Sequence, residues 1–402
     1  MNSRIMKSVL LGVCSFCLIP SALGTSLNIT GRVQSEYNVV SIQGLSSQSS
    51  IGDPSYYSSW GFRVSENLGN GFKAIGMIDW GFNTGNGGFF GAREQYAAIF
   101  KDSIGTLKIG RTHSPFADFA GGWTIDPFVY TALQANGSGG TMIASSNGLG
   151  SGTYAAVNSV VRFDSINFRG FTFAALLMPG DSKRTEANLG GVLGETFVNN
   201  GNTGGSNGEW DFQAAAKYDL AYHEHKFNVF GGYSRDNVSS RQKEVYPYYL
   251  KTEEVGRGGG SWSFKDFRLQ GQFEYISNAL GAATCSDAGA LGGIGDLPRQ
   301  CNSAINAGGN GTTWFTSGQY KWKSTTFIVQ GGMTNAFSTS LFGSRKAESF
   351  TVGAFHDLSK RTSLFGGYQH VHVEDKNTLD RDLNGAIGRD RSTWTAGLRH
   401  NF

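Results

Sequence analysis

From Leu27 the chain alternates apolar and polar residues. Leu27, Ile29, Gly31, Val33 and Tyr37 fall on one side, and Asn28, Thr30, Arg32, Gln34 and Glu36 on the other. Successive side chains of a strand point to opposite faces, so this pattern predicts a strand between an apolar medium and water. The alternation returns from Phe72 to Trp80, Trp210 to Tyr218, Phe267 to Tyr275 and Trp394 to Phe402. Lys73, Asp79, Asp211, Lys217, Arg268, Glu274 and Arg399 occupy polar positions in these stretches. Further on, Tyr96, Ala98 and Phe100 are assigned to the apolar face, which sets Arg93 on the watery one. An arginine facing mid-bilayer lipid costs roughly 2–4 kcal/mol, so that placement is strongly preferred.

A soluble β-sandwich also alternates, but two features favour a closed barrel in a membrane. Aromatics end the apolar faces (Tyr37, Trp60, Phe72, Trp80, Tyr218, Tyr275, Trp322, Phe402), as an interfacial girdle requires. Connections alternate between short and long: seven short ones, such as 67–71 and 102–105, and eight long ones near 41–57, 83–92, 112–156, 179–208, 236–247, 277–311, 335–347 and 372–390. A barrel with tight turns at one end and loops at the other produces that segregation. The expected fold is all-β, a sixteen-stranded antiparallel transmembrane barrel over residues 25–402. Sixteen strands enclose a lumen wide enough for water, and closure satisfies every backbone N–H and C=O in lipid.

Composition removes the competing classes. Of 402 residues 58 are glycine, 7 proline, 13% aromatic and 16% charged, too polar for membrane helices and too aromatic for disorder. The formal charge is +3, and part of it comes from Arg4 and Lys7. Those two precede a short apolar stretch from Val9 to Ile19 and then Ala22-Leu23-Gly24, the pattern of a signal peptide over residues 1–24 cut after Gly24. The mature chain is then nearly neutral, with no basic field for nucleic acid. Cys14 and Cys17 follow Val13 and Phe16, outside a lipidation setting, which leaves Cys285 and Cys301 in the long loop 277–311. In an oxidising envelope these two are expected to form a disulfide, contributing about 3 kcal/mol locally in the chain-entropy model.

Several segments then match a known family. Ser59-Trp60-Gly61-Phe62-Arg63 with Ser65-Glu66-Asn67-Leu68-Gly69 resembles the second strand and first turn of the trimeric general porins of Gram-negative bacteria. Gly105 to Arg111, Asn158 to Phe163 and Leu358 to Thr362 are similar to later segments, and Gly397 to Phe402 resembles the ending of β-proteobacterial members. The resemblance implies a homotrimer in outer-membrane lipid and lipopolysaccharide, with Phe402 read by the barrel-assembly machinery. It also implies a third external loop, about 112–156, folded inward as a constriction with Pro115, Asp118, Gly121, Gly122 and Asp126. Acidic groups there would oppose an arginine ladder, to which Arg93 and Arg111 correspond. The ladder is incomplete, since Ser59 and Ala155 stand at two of its positions, and Arg32, Arg63 and Arg162 are candidates to compensate. Strict alternation turns Arg111 outward, and only a bulge at the rim would bring it into the lumen.

The expected pore-lining bases are Arg32, Arg63, Lys73, Arg93, Arg111 and Arg162, and the expected acids Glu36, Asp79, Asp118 and Asp126. Alternation adds Lys217, Lys226, Arg268, Lys321 and Arg399 against Asp211 and Glu274, a net positive wall. His223-x-His225 and His370-x-His372 have a spacing that can bind metal, but a solvated or girdle role is expected. His113-Ser114 lacks an orienting partner, and Gly258-Gly259-Gly260 lacks the context of a phosphate cradle. The reading is a diffusion channel for small hydrophilic solutes, without cofactor, metal, nucleic acid or catalysis. A solute-specific channel with a binding track is the alternative, and rim enzymes and loop-mediated adhesins are the more distant ones.

Overall fold

A computed structural model describes residues 23–53, 57–135, 156–179, 210–237, 252–279, 309–337, 344–375 and 390–402. Most of the predicted signal segment, and both loop cysteines, Cys285 and Cys301, lie outside these residues. The strands are β1 (Leu23–Ile42), β2 (Gln48–Gly52), β3 (Ser59–Gly69), β4 (Phe72–Phe82), β5 (Phe89–Lys101), β6 (Gly105–His113), β7 (Ala156–Ser165) and β8 (Phe171–Pro179). They continue as β9 (Trp210–Tyr222), β10 (His225–Asp236), β11 (Glu253–Phe264), β12 (Phe267–Ala279), β13 (Gly309–Trp322), β14 (Thr325–Phe337), β15 (Ser344–Asp357), β16 (Thr362–Asp375) and β17 (Arg391–Asn401). From β3 to β17 each strand pairs antiparallel with the next.

The ring closes through β1, whose two halves use opposite edges. Leu23 to Arg32 pairs with β3, and Arg32 to Ile42 pairs with β17. The terminal Phe402 completes the seam, its N–H donating to Gly31 O at 2.9 Å and its carbonyl accepting from Gly31 N at 3.2 Å. Its ring lies over Gly31, where a Cβ would push it aside. Beside the upper half of β1 the five-residue β2 takes the place of β3 (Glu36↔Gly52 to Val40↔Gln48). The barrel therefore has sixteen crossing strands, and β2 is an extra short strand within the first long loop.

Leu27, Ile29, Phe72, Ile78, Phe267, Phe273, Trp394 and Leu398 face outward and are exposed on the isolated chain, as lipid-facing residues must be. Polar Gln34 and Gln270, on two of these strands, and Gln213 and Gln369, on β9 and β16, are buried inside. Tight turns gather at the other end from the long loops, with Asn70, His223, Lys265 and Lys323 at positive φ, between 50° and 55°. Such left-handed residues are what short hairpin turns demand. In β5 the expected facing is reversed. Ala98 is 6% exposed and pairs with buried Ile75, whereas Ile99 faces outward. Tyr96, Ala98 and Phe100 thus point into the barrel, not at lipid.

The constriction loop and the wall it faces

After His113 the chain turns into the barrel instead of rising above it. Pro115, with φ preset for a first helical turn, starts the four-residue helix α1 (Pro115–Asp118). A 3-10 turn (Gly122–Thr124) follows. Gly121 and Gly122 have φ of 76° and 55°, and a Cβ on Gly121 would strike Gln272 Oε1 and the Phe230 ring. Only glycine lets the backbone approach the wall so closely.

Wall glutamines receive this loop. Gln213 Oε1 accepts from Phe116 N at 2.7 Å and Gln272 Oε1 from Gly122 N at 2.9 Å. Gln270 donates to Ile125 O at 2.5 Å, and Gln330 and Gln369 to Leu133 O at 3.1 and 3.0 Å. Gln34 donates to Tyr130 O at 2.6 Å. An amide side chain carries both donor and acceptor, so it can satisfy either backbone group of an irregular segment. Loop residues 114–135 are in this way held against β9, β12, β14, β16 and β1.

Two further contacts lock the loop. Arg257 of β11 donates to Phe116 O and, at 2.9 Å, to Ala120 O, while Glu274 of β12 pairs with its guanidinium. Its charge thus meets backbone carbonyls within and just after α1. Beneath the loop Phe116, Ala120 and Ile125 pack on inward-facing Phe230, Val255, Ile276 and Phe315, and Phe128 and Leu133 on Ile328.

Opposite lies a cluster of arginines and tyrosines. Arg32 sits 4.9 Å from the Tyr57 ring and 5.4 Å from that of Tyr130, and Arg399 lies 4.0 Å from Tyr57. Arg93 lies 4.9 Å from the Tyr130 ring and donates to its hydroxyl at 2.7 Å, with Asp79 at 3.5 Å. Tyr57 is set by Asp53, whose carboxylate accepts from Tyr57 N at 3.0 Å and Ser58 N at 2.5 Å. Burial pushes the Asp53 carboxyl up, and those two N–H groups pull it back. Burial likewise raises the Tyr130 phenol, so it is neutral at ordinary pH.

Of the expected pore residues, Arg32, Arg63, Lys73, Arg93, Arg162 and Asp79 stand on inward-facing positions, and Arg63 and Lys73 are exposed there. Arg162 is only 4% exposed, with Asp118 at 2.8 Å and Asp164 at 2.7 Å. Three expectations are corrected. Arg111 pairs with outward-facing Gln95, and its guanidinium binds Ala92 O at 2.8 Å and Asn158 Oδ1 at 2.5 Å on the outer wall. A bulge exists there, but it falls between Gly110 and Thr112 against β7 and does not turn Arg111 inward. Asp126 is 3% exposed and accepts from Phe128 N and Ala135 N, so it folds the loop rather than lining the pore. Glu36 does face inward, but at 1% exposure it is covered by the loop, accepting from Ala132 N at 3.2 Å and Thr395 Oγ1 at 2.7 Å.

The sequence reading missed Lys108, Arg257 and Arg391 among inward bases and Glu94 and Asp164 among acids. The Gly256 to Gly260 run hides the alternation around Arg257. Lys108 lies 3.0 Å from Asp164. Asp79, Asp118, Asp164 and Glu274 each have a basic partner. Among the described residues no salt bridge is made by Arg32, Arg63, Lys73, Lys217, Lys226, Arg268, Lys321 or Arg399. The ion pairs within the wall therefore leave an unneutralised positive excess. His225 stacks with Phe264 (4.6 Å) and Trp262 (6.0 Å) in the outer aromatic belt, and among the described residues no His/Cys/Asp/Glu group is arranged to hold a metal.

The fold recurs in known proteins. The anion-selective porin from Comamonas acidovorans superposes with a TM-score of 0.64 at 19% identity, covering 94% of this chain and all of that one. OmpF of Salmonella typhi, solved with daunomycin, gives 0.61 at 12% identity over 94% and 98%. In sequence, an outer membrane porin protein of Bordetella pertussis is 26% identical over 371 residues, 86% of this chain and 82% of that one. The Gram-negative porin family model matches residues 9–376. The chain belongs to the Gram-negative porin family and forms an outer-membrane β-barrel channel.

Proposed function

We propose that this porin passes small hydrophilic solutes and ions by diffusion, with a modest preference for anions. The observation that carries the preference is the inward charge balance. Asp79, Asp118, Asp164 and Glu274 are paired with bases and Glu36 is covered by the loop, whereas Arg32, Arg63, Arg268 and Lys321 have no acidic partner among the described residues. In a narrow low-dielectric lumen such an excess raises the local anion concentration, and salt screens it over about 8–10 Å. The solved relative described as anion-selective is consistent with this reading.

Cleavage after Gly24, assembly as a homotrimer in lipid and lipopolysaccharide, and recognition of Phe402 by the barrel-assembly machinery belong to the same proposal. One solved neighbour, OmpT of Vibrio cholerae, is described in a trimer form. The protein is read as a channel and not an enzyme, since its family is a channel class. The test is planar-bilayer recording of the purified protein under a KCl gradient. A reversal potential of anionic sign, with current that does not saturate for one solute class, is expected. Saturation by a single class would instead identify a solute-specific channel.

A further inference from the structure

We infer that Tyr130 is the specificity-determining residue of the constriction, a neutral aromatic shield that the inward loop places over the Arg32–Arg93 pair. The inference rests on the channel reading above, but not on the sign of its ion preference.

Asp126, four residues before Tyr130, turns its carboxylate into the loop's own N–H groups, and Asp118 is spent on Arg162. The loop group that reaches Arg32 and Arg93 is instead the Tyr130 ring, at 5.4 and 4.9 Å from the two guanidinium carbons. Its hydroxyl accepts from Arg93 Nη2 at 2.7 Å. A phenol can cover a guanidinium and accept one hydrogen bond, but it cancels no charge. Asp79 on the wall offsets one of the two charges, so a net positive field remains, while its approach is narrowed by the ring.

Backbone conformation supplies a second, independent observation. Tyr130 has φ of 62°, in the left-handed region where a residue with a Cβ is strained and glycine is not. The conformation is over-determined: Tyr130 N donates to Gln134 Oε1 at 3.0 Å, and Tyr130 O accepts from Gln34. Trp123 closes the other side of the ring at 4.9 Å, itself set edge-on against His113 at 5.0 Å. Strain held in place by surrounding contacts points to a use for the side chain. Here the ring is aimed at the two cations.

Three variants in planar bilayers test this, each first checked for a folded, heat-modifiable barrel. Tyr130→Ala uncovers the pair, so conductance should rise and the chloride-to-potassium permeability ratio should increase roughly threefold, the opposed Boltzmann factors of the two ions for about half a kT in local potential. Tyr130→Phe keeps the shield and should stay close to wild type, which a role confined to the hydroxyl bond would not allow. Tyr130→Asp adds the missing carboxylate and should lower the ratio below wild type, and it serves if the alanine variant fails to assemble. Wild-type ratios for both Ala and Asp variants would overturn the inference. A cation-preferring wild type would defeat the proposed selectivity, yet the direction of each variant relative to it would still decide the role of Tyr130.

Discussion

Between the pairs Asp79↔Glu94 and Trp80↔Ala92, β5 carries one residue more than β4, and that residue is Arg93. A bulge of this kind re-aims a side chain, and it turns Arg93 toward Asp79 and Tyr130 although the rest of β5 has the facing opposite to the one alternation implied. Sequence periodicity cannot register a one-residue insertion, because both facings of β5 place some apolar residues outward. Arg111 is the converse case. Leu107 and Ile109 face outward, and the alternation they begin, read strictly, already sets Arg111 on the outer wall; family likeness argued against a pattern that was right. The two arginines should therefore separate functionally. Arg93→Glu is expected to move the KCl reversal potential toward cations, and Arg111→Gln to leave it at the wild-type value. Equal shifts for both would place the bulge wrongly.

At the scale of elements, the constriction depends on how the loop from Ser114 to Ala135 is docked. Alternation located Gln34, Gln213, Gln270 and Gln272 on the polar face, but it identifies only the side, not what meets it. Their partners stand 96 to 150 residues away in the chain. The apolar seats left a trace. Phe230 and Ile276 occupy inward positions where water alone would call for polar residues, and each lies under the loop. Besides the Arg162–Asp118 pair, Arg257 and Glu274 fasten α1 by charge, at 2% and 0% side-chain exposure. Removing one member leaves the other buried and unpaired, at a cost of about 3–5 kcal/mol, whereas replacing both with apolar residues is often neutral. Arg257→Met is thus expected to raise conductance and current noise and lower the thermal transition. The Arg257→Met, Glu274→Leu pair should recover stability while remaining wider than wild type, because the carbonyls of Phe116 and Ala120 stay unheld. Equal destabilisation by single and double variants would contradict the latch.

For the molecule as a whole, the segregated loop lengths and girdle aromatics made the sixteen-strand barrel readable from sequence, since hairpin connections and membrane interfaces constrain composition directly. The short β2 escaped because Gln48 to Gly52 is polar and alternates weakly. Phe402 joins the two chain ends at the seam, so deleting it should lower outer-membrane levels of the folded form, measured by heat-modifiability in fractionated cells; unchanged levels would deny it that role. The most direct test of the account is the reversal potential of the purified channel across a tenfold KCl gradient, repeated at low and high mean salt. A wall on which bases outnumber unpaired carboxylates predicts an anionic sign that weakens as the Debye length falls from about 10 Å at 0.1 M to about 3 Å at 1 M. A cationic sign at low salt would mean that carboxylates govern the constriction, and would contradict it.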